Sequence, residues 1–114
     1  MRNQPLAVYI LSNLRHKVLY VGVTGDLARR LAQHREGTGS AFTRRYHVDQ
    51  LVHVEFFDEP MQAIAREKQL KAGSRRQKVA LIERGNAGWV DLAGRYLLRS
   101  DAPGLPRPAA PVSQ

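Results

Sequence analysis

A carboxylate, an arginine, a histidine and two tyrosines sit at positions where apolar residues are expected. Glu67 is three residues from both Ile64 and Leu70, so on a helix it shares their face rather than the solvent face. Unpaired burial of that carboxylate would cost several kcal/mol or raise its pKa until it neutralised. Its possible partners are Arg30, a divalent ion, or Lys71 at i+4 in a plain salt bridge of small value. Arg30 and His34, one turn apart, fall on the stripe of Leu27 and Leu31; the structural alternative is that their apolar stems cover the core margin while their polar ends reach water. Tyr9 and Tyr20 lie in two strand-like runs. Together these are the parts of a metal-assisted phosphodiesterase: a carboxylate for Mg²⁺ or a similar hard cation, an arginine for phosphoryl charge, and a phenol or imidazole to move a proton.

The elements that must position these groups are legible from pattern. Residues 5–11 (PLAVYIL) and 17–24 (KVLYVGVT) are rich in β-branched and aromatic residues, and the polar SNLRH between them predicts a hairpin. Closing it on residues 13–16 sets Tyr9 opposite Tyr20, with both phenols on one face. Gly22 then leaves a gap beside Tyr20 where backbone or phosphate could approach; cross-strand aromatic pairing alone would also account for the tyrosines. Asp26 can cap a helix over 27–36 that stops at Gly37. Residues 37–47 (GTGSAFTRRYH) read as an exposed basic loop. A third strand covers 51–57, helices cover 61–72 and 75–85, and a short helix falls within 89–99. Ser100 onward carries four of the six prolines and reads as a flexible tail, giving an ordered domain over 1–99 and a tail over 100–114. The order ββαβαα predicts an α+β domain with a small three-stranded, mostly antiparallel sheet flanked by helices.

Composition narrows the chemistry. The 114 residues include no cysteine, which removes disulfides, thiolate zinc sites and cysteine nucleophiles together. No 18-residue apolar run is present to span a bilayer, and the N-terminal region lacks a secretory pattern, so a cytoplasmic location is expected. The formal net charge is +8, and 14 Arg outnumber 4 Lys. Guanidinium suits bidentate phosphate recognition, which makes nucleic acid the leading partner class. The isolated GTG at 37–39 follows a helix rather than a strand, so it is no phosphate cradle.

With these residues in place the chain resembles the GIY-YIG nuclease family. Val8-Tyr9-Ile10 stands for the first triplet, with Val in place of Gly, and Tyr20-Val21-Gly22 for the second. D-L-x-x-R-L-x-x-H follows from Asp26 to His34, and R-E-K-Q-L-K from Arg66 to Lys71. The resemblance covers residues 7–92 and is nearest to small stand-alone bacterial members; related modules occur in nucleotide-excision repair, homing endonucleases and junction nucleases. It implies an endonuclease that hydrolyses DNA phosphodiesters by one-metal, in-line attack of water, with Mg²⁺ or Mn²⁺ as cofactor and DNA repair as one setting. It further implies Tyr9 as general base or water activator, Tyr20 as second site tyrosine, Arg30 as phosphate-stabilising cation, His34 as proton-moving residue and Glu67 as metal ligand. Asn86 is a possible match to a polar residue after the last helix. Gly22, Arg29, Arg35, Arg44, Arg45, Lys68, Lys71, Arg75 and Arg76 are expected to face nucleic acid. The alternative is a non-catalytic DNA- or RNA-binding module on the same scaffold. On the nuclease reading, Tyr9, Tyr20, Arg30, His34 and Glu67 converge on one concave face.

Overall fold

Strand β1 (Leu6–Ser12) alternates its side chains into two separate cores, and the rest of the chain is arranged about it. The structure is a computed structural model describing residues 5–101. Strand β2 (Leu19–Thr24) and strand β3 (Gln50–Phe57) flank β1 in the order β2-β1-β3, and both pairings are antiparallel. Ala7, Tyr9 and Leu11 point to one side, where helix α1 (Leu27–Glu36) and helix α5 (Gly94–Asp101) pack. Val8 and Ile10 point to the other, against helix α3 (Pro60–Ala72) and helix α4 (Arg75–Gly85), with Val21, Val52, Ala63, Leu70 and Ile82. Each large apolar side chain fully buried in this way contributes about 1.5–3 kcal/mol.

The hairpin register differs from the expected one by two residues. Tyr9 pairs with Gly22, and Tyr20 pairs with Leu11. The cause is Asn13, whose Oδ1 accepts from both Lys17 N and Val18 N at 2.8 and 3.1 Å. This closes the connection around residues 13–18 instead of 13–16. A two-residue shift preserves parity, so both phenols still project from one face.

The segment read as a loop over 37–47 contains helix α2 (Ala41–Tyr46). Ser40 caps it by accepting from Thr43 N, and His47 ends it in the left-handed conformation at φ 55°. Phe42, Arg44, Arg45 and Tyr46 are exposed, as expected of that stretch, but Thr43 is buried. At the other end, α5 runs to Asp101, past the boundary placed at Ser100; residues 102–114 of the expected tail lie outside the described residues. Asp91 fastens this C-terminal segment: its Oδ1 accepts from Leu51 N and Ala93 N at 3.0 Å, and its other oxygen pairs with Arg35 of α1.

Candidate active site

Tyr9 is fully buried on the central strand, and its ring crosses from β1 over Gly22 of β2. A Cβ on Gly22 would lie 2.5 Å from Tyr9 Cζ and Oη, so only glycine leaves room for the ring there. The gap expected at Gly22 is therefore filled by Tyr9 itself. Tyr20, one diagonal away, has its ring centroid 6.4 Å from that of Tyr9. Burial pushes the Tyr9 phenol up to about 12; Arg30 opposes that shift through hydrogen bonding and charge, and Tyr20 and Glu67 add to it. At neutral pH Tyr9 is a phenol.

His34, buried on α1, bridges three elements. Its Nε2 is 3.4 Å from Tyr9 Oη, its Nδ1 is 3.0 Å from Thr43 Oγ1 of α2, and its ring meets Tyr20 edge-on at 5.8 Å between centroids. Burial lowers its pKa and the Arg30 charge lowers it further, with Asp49 opposing. The imidazole is accordingly neutral at pH 7. Gly39 makes this packing feasible, since a Cβ there would fall 2.5 Å from His34 Nδ1.

Glu67 approaches from a different layer. On α3 it lies between buried Ala63 and Leu70, on the stripe facing Val8, Ile10 and Val21, opposite the face that carries Tyr9. Helix α3 thus carries Glu67 toward the site from the layer opposite the one that holds α1. Tyr9 reaches over β2, an edge strand, and the Glu67 carboxylate is near enough to raise its pKa. Of the partners open to Glu67, Lys71 takes it, at 2.9 Å between Nζ and Oε2. Among the described residues no group of three or more His, Asp or Glu could hold a metal. A single half-buried carboxylate nevertheless fits a hard cation that keeps most of its water shell and binds with substrate phosphate.

Arg29, Arg44, Lys68 and Arg76 are exposed and make no ion pair among the described residues. Arg45 lies 5.5 Å over the Tyr46 ring. Other expected contacts are already committed: Arg35 to Asp91, Lys71 to Glu67, and Arg75 to the His16 and Lys17 carbonyls. Asn86 ties the 86–90 loop to β3, donating to Val52 O and Val90 O and accepting from Val90 N. Thr43 and Gly39 were not singled out from sequence; the Ser40-x-x-Thr43 cap was the available signal.

Comparison with known proteins bears on the family and the fold. A sequence model described as the GIY-YIG catalytic domain matches residues 5–80. A UPF0213 protein of Haloquadratum walsbyi is 42% identical over 67 residues, covering 59% of this chain and 75% of that protein. A UPF0213 protein of Natronomonas pharaonis is 40% identical over 75 residues, covering 66% and 87%. The solution NMR structure of a UPF0213 protein from Bacillus halodurans superposes with a TM-score of 0.51 at 30% identity, covering 77% of this chain and 93% of that one.

Proposed function

Because the chain belongs to the GIY-YIG catalytic-domain family, we propose that it is a divalent-metal-dependent endonuclease hydrolysing DNA phosphodiester bonds by a one-metal, in-line mechanism. The observation that carries this reading is the buried Tyr9 phenol, laid over Gly22 with His34 at 3.4 Å and the charges of Arg30 and Glu67 acting on it. These groups divide the work of the reaction. Tyr9 Oη orients the attacking water; with a pKa about 12 it starts protonated, so it accepts the water's proton as it gives up its own. Neutral His34 is the next acceptor; burial and the Arg30 charge disfavour its imidazolium, so the proton passes on to bulk water. Arg30 offsets charge developing on the phosphoryl oxygens. Glu67 would hold the cation, Mg²⁺ or Mn²⁺, exchanging its pairing with Lys71 for that role. When bound, the cation supplies Lewis-acid stabilisation of the phosphodiester and its leaving oxygen.

The test is incubation with duplex, nicked, flapped and junction DNA and RNA, with Mg²⁺ or Mn²⁺ against EDTA. Cleavage that requires the cation and favours DNA is expected. Absence of cleavage throughout, with binding retained, would replace the enzyme by a non-catalytic nucleic-acid-binding module.

A further inference from the structure

We propose that Thr43 is a positioning residue that holds His34 as the Nδ1–H tautomer, leaving Nε2 as the acceptor turned to the Tyr9 hydroxyl. The argument is a count of hydrogens. Thr43 has one hydroxyl hydrogen, and we assign it to Ser40 O, which lies 3.1 Å away and can only accept. Its oxygen therefore has only lone pairs to offer the imidazole 3.0 Å away, and Nδ1 must bring the hydrogen. Ser40 fits the same assignment: its Oγ accepts from Thr43 N at 3.2 Å and can give its own hydrogen to Thr43 Oγ1 at 3.1 Å. A neutral imidazole with hydrogen on Nδ1 has a bare Nε2, and that atom faces Tyr9 Oη at 3.4 Å. Each hydrogen is used once.

Both residues are shielded, with Thr43 3% and His34 7% exposed, so water competes little for these bonds. The groups facing His34 are Tyr9 of β1, Tyr20 of β2, Arg30 of its own helix, Thr43 of α2 and, past α2, Asp49; Arg44 and His47 line the adjoining crevice. Apart from Tyr9, only Thr43 hydrogen-bonds a ring nitrogen of His34 among the described residues.

The consequence for catalysis rests on the nuclease reading. In this tautomer Tyr9 donates to Nε2, so the lone pair that Arg30 does not take remains for the attacking water and its proton has an exit. In the other tautomer Nε2–H would donate to Tyr9 Oη, occupying a lone pair and blocking that exit.

Tautomers are distinguished directly by long-range ¹H–¹⁵N correlation through the imidazole ring, measured on the full chain above neutral pH. The wild type should show Nδ1–H at His34. Thr43→Val, isosteric but without the hydroxyl, should shift His34 largely to Nε2–H and lower metal-dependent cleavage by about 10- to 100-fold, as loss of an imidazole's orienting partner does. Thr43→Ser should restore both. A wild-type spectrum with Nε2–H, a folded Thr43→Val protein with an unchanged tautomer, or a folded Thr43→Ser protein that behaves like Thr43→Val would each overturn the assignment. The first needs no variant, so the proposal stays testable even if Thr43→Val fails to fold. A wild type that shows Nδ1–H, displaced by Thr43→Val, yet cleaves nothing would defeat the nuclease reading and leave the tautomer assignment standing.

Discussion

Gly22 is worth as much to the site as any side chain in it, because the Tyr9 ring occupies the volume where its Cβ would be. Gly22→Ala should displace the phenol, lowering stability by roughly 1–3 kcal/mol as overpacking does and removing cleavage, with urea melts and initial rates as readouts. Charge, not volume, is at stake at Glu67. Glu67→Gln keeps size but discards the charge a hard cation needs, so cleavage should collapse while binding and melting temperature hold. Arg30→Ala should cost on the order of 10²-fold or more in rate, in line with other preorganised charge stabilisers; a parent-like rate in either variant would refute the assigned role. Arg30, His34 and Glu67 were legible in sequence as candidates because each broke an apolar pattern, and the two tyrosines because the expected hairpin put both phenols on one face. The pairing of the tyrosines was not, because Asn13 accepts two backbone bonds across a turn and moves the register, which strand propensity cannot show.

At the level of elements, α2 was the one helix among the described residues that was hidden from sequence. It is a single cap-to-cap segment, Ser40 to His47, with no apolar stripe to mark a period. Helix α3 was legible, and its attachment to β3 has a polar part. Arg66 forks onto both oxygens of Glu55 at 2.8 and 2.9 Å, and His53 meets the same carboxylate at 2.8 Å. Hydrogen bonding from Arg66 holds the Glu55 carboxyl below its usual value of 4.5, against the opposing effect of burial. Because the folded pKa is depressed, this stabilisation is present above 4.5 and is lost as pH falls through the folded value. His34 acts in a higher window. Its folded pKa lies below 6.5, so the unfolded chain takes up protons first and stability declines as pH drops from 6.5 toward the folded value. Melting temperature between pH 3 and 8 should therefore fall in two stages on acidification. Glu55→Gln should flatten the lower stage alone; an unchanged lower stage would show that the Arg66 fork contributes nothing there.

For the molecule as a whole, the net charge of +8 predicts binding governed by phosphate contacts, but fewer cations are available than the sequence suggested. Arg35, Lys71 and Arg75 already hold intramolecular partners, which leaves Arg29, Arg44, Arg45, Lys68 and Arg76 as the exposed candidates. Each phosphate neutralised contributes a log–log salt slope of about −0.9 on B-DNA. Binding titrations from low to physiological salt should fall steeply, and Arg44→Ala combined with Arg45→Ala should flatten the slope by about two such units; a slope insensitive to both would locate the nucleic acid elsewhere. Residue counts reveal total charge, whereas pairing between distant segments, such as Arg35 with Asp91, appears only once the chain is folded.

The central position of β1 has a consequence for motion. Tyr9 is bracketed by hydrogen-bonded strands on both sides, so no fraying edge or loose loop can free it. Local openings that leave the sheet intact will not reach it, and its amide will exchange with solvent as slowly as global unfolding permits. Such a site cannot mould itself to its target. On the proposed nuclease reading, a substrate would have to bend, unstack or rotate to bring its phosphate to a fixed phenol, and adaptation to different targets would fall to the exposed residues of α2 and the turns around it.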